Sequence, residues 1–137
     1  MSYDLMVFEI EQAPTSKTDF LSWYQRQTQW SEPHDYQSID VASPALQHWF
    51  MEMKETFPPL NGEHSPSDAQ LEEEWWLEDR LTDFSIGTHV IYIGFPWSTA
   101  EEAYETTRML AKKHHVGLFD VSGPNADVIL PDGRVLD

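Results

Sequence analysis

The chain has 137 residues, with 24 acidic against 8 basic side chains, a formal net charge of -16, 13% aromatic residues and no cysteine. That length suits one domain with its own core, the missing cysteines exclude disulfides, thiolate metal sites and thiol chemistry, and the aromatic content separates the chain from disordered acidic tails. A negative field repels nucleic-acid phosphates and anionic lipid and draws in basic proteins; with no run of about 18 apolar residues and no basic leader in MSYDLMVFEI, a cytoplasmic protein is expected.

Residues 3–10, YDLMVFEI, form a short apolar run that predicts a buried, central strand. Pro14 breaks it, and Ser16 with Asp19 three residues later is a capping box opening a helix whose face is Phe20, Trp23, Tyr24, Gln27 and Trp30. The polar stretch 31–43 reads as a loop. Ser43-Pro44 then caps a second helix with the stripe Leu46, Trp49, Phe50, Met53 and Phe57, which Pro58-Pro59 ends. Residues 61–80 are expected to form a mobile acidic excursion that begins in turn chemistry.

Strands near 82–86 and 89–95 flank a turn at Gly87. Ser98 with Glu101 signals a capping box, and Ala100, Ala103, Tyr104, Thr107, Leu110, Ala111 and His114 line one face of a long helix to about His115. Gly117 is placed to terminate it, and Lys112, Lys113 and the two histidines suit the negative end of its dipole. Two more strands, 116–121 and 126–131, surround the turn SGPN. The order β-α-α-β-β-α-β-β predicts a single α+β domain, ferredoxin-like in outline, with a mostly antiparallel sheet and its helices packed on one face.

For chemistry the chain offers little. Adjacent His114 and His115 point about 100 degrees apart on a helix, and no HxH or HxxxH spacing joins any of the histidines, so no metal site is assigned. Asp4 and Glu9 on the first strand and Asp120 on the fourth would converge only if a sheet joins them, and strand-end carboxylates are more often solvated. No GxSxG elbow, P-loop or GxGxxG turn is present. Catalytic residues and cofactors are therefore none. Asp4, Asp120 and His89 are the polar groups that a pocket-binding or enzymatic α+β domain would use.

The segment 71–80, LEEEWWLEDR, sets five carboxylates around two tryptophans. On a helix Trp75 and Trp76 fall on different faces, and on a strand on opposite faces, so full burial of both is hard. One reading has one ring capping the core; the alternative is an interface anchor, Trp75 with Trp76, inside a steering rim of Glu72, Glu73, Glu74, Glu78 and Asp79. Asp35 and Tyr36 in the first loop are a second candidate contact.

YDLMVFE at 3–9, SIGTHVIYIGFPWSTAEEAYETTRMLAKKHHVGLFD at 85–120 and VILP at 128–131 resemble a loose family of small acidic bacterial proteins that open with SYDL. The resemblance covers about half of the chain and has no counterpart for 61–80. Such proteins are similar in size and acidity to immunity proteins encoded beside toxins, and no catalytic residue carries over. The resemblance and the acidic aromatic segment together imply a non-enzymatic, antitoxin-type protein that occludes a basic toxin domain acting on nucleic acid or nucleotides. A homo-oligomer in which the exposed aromatics meet a second copy is the further alternative.

Overall fold

The computed structural model describes residues 2–137. Strand β1, Tyr3–Phe8, turns Tyr3, Leu5 and Val7 to one side and Met6 and Phe8 to the other, and both sets are buried. A strand that is apolar on both faces belongs in the middle of a sheet covered on both sides. It pairs antiparallel with β3, Val90–Phe95, and with β4, Gly117–Phe119. Strand β2, Asp83–Ile86, adds to β3, and β5, Val128–Ile129, adds to β4, giving the order β2-β3-β1-β4-β5. The inner order β2-β3-β1-β4, with helical crossovers between β1 and β2 and between β3 and β4, is the expected ferredoxin-like outline; β5 extends it.

Helix α2, Pro44–Met53, and helix α4, Ala100–Lys113, cover the face of Leu5 and Val7. Helix α1, Lys17–Gln27, lies on the other face, which corrects the expectation of helices on one side only. There Phe20 and Trp23 meet Phe8 at ring-centroid distances of 4.8 and 6.0 Å, and Phe20 meets Phe119 at 5.2 Å. The outward Met6 and Phe8 had to be covered, and α1 carries the apolar stripe nearest to them in sequence.

The Ser16 and Ser43 caps form as expected, each hydroxyl oxygen accepting from the backbone N–H three residues on. Other boundaries differ. Helix α1 stops at Gln27, where Thr28 donates both its N–H and its hydroxyl to the Tyr24 carbonyl, and Trp30 lies beyond it at a φ of 55°. Ser98 does not cap α4: it sits inside a short 3-10 turn, Trp97–Thr99, whose Thr99 hydroxyl donates to the Pro96 carbonyl. Helix α4 is left through His115, at a φ of 57°.

Gly117 is therefore not the helix terminator. It opens β4, buried, with the Phe8 ring where a side chain would stand: an added Cβ would lie 2.2 Å from Phe8 Cζ. Strand β5 is shorter than expected because Ala126 turns the chain at a φ of 48°. Its outer edge is closed by Leu136 N–H, which donates to the Val128 carbonyl.

Candidate protein-binding surface

Ser67 caps α3, Asp68–Glu73, by accepting from the Gln70 N–H. This helix has no buried residue and ends after six. Its run of like charges supplies neither an apolar face nor favourable spacing, and like charges one turn apart weaken a helix. Glu74 leaves helical geometry, and Trp75–Arg80 continue as 3-10 turns. The tryptophans thus fall where no core face exists.

Trp75 is 70% exposed and Trp76 48%, with their rings edge to face at 6.0 Å. Neither ring caps the core. Glu72, Glu73, Glu78 and Asp79 around them are exposed, and Glu74 is half-buried. The segment is fixed at its ends. The N–H groups of Leu60 and Thr82 donate to the carbonyls of Thr82 and Pro58, closing a stem. Arg80 donates Nε–H to the Thr56 carbonyl at 2.9 Å and both terminal nitrogens to Glu102, at 3.1 and 2.6 Å, while its guanidinium lies 4.5 Å over the buried Phe57 ring.

That tie brings α4 into the surface. Arg80, Ser98, Thr99, Glu101, Glu102 and Glu105 line one shallow groove beside the segment, so the acidic rim continues onto the first turns of α4. The hydrogen bonds from Arg80 hold the Glu102 carboxyl below the usual glutamate range. Glu101, read in the sequence as a capping acid, is an outward rim residue. Trp97, 52% exposed, lies one turn ahead of it.

The second candidate contact is placed elsewhere. Asp35 and Tyr36 lie against the far end of β2, where the Ile86 N–H donates to the Tyr36 carbonyl, whereas the tryptophan segment leads into Asp83 at its near end. Tyr36 is half-buried, its ring edge to face with Trp30 and tilted against His34, and its hydroxyl accepts from the Glu32 N–H. Its role is to hold the loop; Asp35 remains exposed.

Asp4, Glu9, Asp120 and His89 do not form one site. Met6 pairs with Phe119 on the α1 side, which puts Asp4 on that side and Asp120, with Tyr3, on the other; Glu9 follows the opposite end of β1. Asp120 Oδ1 and His89 Nδ1 are buried without hydrogen-bond partners. Burial, then Asp127, pushes the Asp120 carboxyl up, and burial with Asp120 nearby raises the Tyr3 hydroxyl to about 12. His114 and Lys113 both pair with Glu52. Among the described residues, no group of three or more His, Asp or Glu side chains is arranged to hold a metal ion, and no helix is long and apolar enough to cross a membrane.

Comparison of the chain with protein-family models, with curated proteins and with solved structures finds no match, so the surface is read from its own residues.

Proposed function

We propose that the protein is an immunity-type binding protein of the cytoplasm, without catalysis or cofactor of its own, that occludes a basic partner protein. The observation that carries this reading is the pair Trp75 and Trp76, both exposed, inside a collar of carboxylates. Water-exposed indoles cost free energy in the free protein, and tryptophan is the residue most enriched among interface hot spots. The carboxylates add steering toward positive charge. A toxin domain that acts on nucleic acid or nucleotides needs a basic cleft to hold phosphates, and an acidic, aromatic projection complements such a cleft.

The test is capture of the partner at low salt, followed by calorimetric titration with the wild type and variants. Trp75→Ala with Trp76→Ala is expected to weaken binding by at least about 30-fold, the effect of one hot spot. Glu78→Gln alone should cost a few-fold at most. Unchanged affinity in the double variant removes this segment from the interface. If capture returns the same chain, sedimentation at several concentrations decides for self-association through the exposed aromatics.

A further inference from the structure

A concave site on the opposite side of the sheet is lined by acidic, aromatic and hydroxyl side chains. Asp4 of β1 and Asp83 of β2 both stand opposite Gly94 of β3 in register, so the three lie in one row on one face. The two aspartate Cα atoms are roughly 9.5 Å apart, two strand spacings, with only the glycine between them in the row. Crowding does not demand glycine there: a Cβ on Gly94 would meet Ser2 at 3.4 Å and Asp4 Oδ1 at 3.6 Å, ordinary contacts. Ser2 and Asp4 overhang the bare position from the β1 side, and its three nearest atoms include none of β2.

The next row supplies Tyr92 and Ser85, and the end of α1 supplies Tyr24 and Thr28, with Trp30 standing edge to face on Tyr92 at 6.1 Å. Together these line an open concavity of about 320 Å³. The charged groups and the helix end share one sign: two carboxylates and the negative end of the α1 dipole, with the Trp30 and Tyr92 rings beside them. No Lys or Arg lines the cavity. The Asp4 carboxylate is already oriented, its Oδ1 accepting from the Ser2 hydroxyl and its Oδ2 from the Tyr92 hydroxyl, and each oxygen keeps a second acceptor site. Burial and the bond to Asp4 keep the Tyr92 phenol protonated.

We propose that this cavity binds an organic monocation of the guanidinium or alkylammonium class, seated over Gly94 between Asp4 and Asp83 and against Trp30 and Tyr92. The inference is independent of the tryptophan surface, which lies across the sheet. Two sources share this chemistry, a free small amine and an arginine or lysine side chain of a partner.

Titration with methylguanidinium, followed through the indole N–H resonances of the 6 tryptophans, tests it. A saturable shift at Trp30, with millimolar affinity weakened about tenfold by Asp83→Asn and by Gly94→Ala, is expected. Asp83 is exposed, so its replacement leaves the fold in place. Neutral N-methylurea should produce no such shift. Agmatine and N-acetyl-arginine amide then separate the sources: comparable binding of the capped amino acid fits a partner's side chain, and its exclusion with agmatine retained fits a free amine. No saturation at Trp30, an equal response to N-methylurea, or a common shift of all the indoles that Asp83→Asn leaves unchanged would overturn the proposal, the last showing diffuse counterion binding to an acidic protein. The double variant at Trp75 and Trp76 should leave Trp30 titration intact, so this site and the protein-binding surface fail or survive separately.

Discussion

Arg80 meets three groups on two pieces of chain remote from it in sequence: the Thr56 carbonyl and the Phe57 ring on one, and the Glu102 carboxylate on the other. A guanidinium meets all three because its planar fork donates in two directions while its face stacks; an ammonium cannot. Arg80→Ala is expected to cost about 1–2 kcal/mol, from the lost bond to Thr56 and the contact with a buried ring, with little from the exposed pair to Glu102. Arg80→Lys should recover less than half. Because Glu102 titrates below its ordinary range when folded, its pairing stabilises the fold above that range and is lost as pH falls through the lowered value. Urea unfolding of wild type and variant should therefore differ less in acid than at neutral pH, yet still differ. A gap that is independent of pH would show that the Glu102 pair contributes nothing.

At the scale of elements, Gly117 sets how closely β4 approaches the aromatic cluster on β1 and α1. Gly117→Ala places a methyl inside the Phe8 ring, itself confined by Phe20 and Trp23. Overpacking of this kind is expected to cost about 3 kcal/mol, read as a lower thermal midpoint with loss of near-ultraviolet aromatic signal. An unchanged midpoint would mean that the Phe8 ring moves aside at no cost. The misassignment of Gly117 in the sequence is instructive. A glycine shortly after a helical stripe fits a C-cap, and nothing local reports a ring arriving from residue 8. Strands β1 and β3 and the caps at Ser16 and Ser43 were legible because period and capping are local. Which face α1 covers was not, although Met6 and Phe8, alternating with Leu5 and Val7, carried the hint. Adjacency excluded full burial of both Trp75 and Trp76 but left one ring free to cap the core, and the acids of α4 join them only through the contact of Arg80 with Glu102, 22 residues on.

Across the whole molecule, a net charge of -16 means that the folded state confines mutually repelling carboxylates. Salt shortens that repulsion to about 10 Å at 0.1 M. The thermal midpoint is expected to rise as sodium chloride is added, while association with a basic partner slows over the same range. These opposite responses are measurable by melting curves and stopped flow. A midpoint that falls with salt would show that attractive pairs such as Arg80 with Glu102 outweigh the repulsion.

The central position of β1 has one more result, in time rather than in space. Tyr3–Phe8 leaves the ribosome well before its two sheet neighbours, Val90–Phe95 and Gly117–Phe119. During synthesis an apolar strand with two hungry edges must wait until most of the chain exists. Helix α1, the next element made, can shelter Met6 and Phe8 during that interval, leaving Leu5 and Val7 uncovered until α2 follows. The helix on the second face is thus complete, and near enough in sequence to cover Met6 and Phe8, long before either sheet neighbour exists.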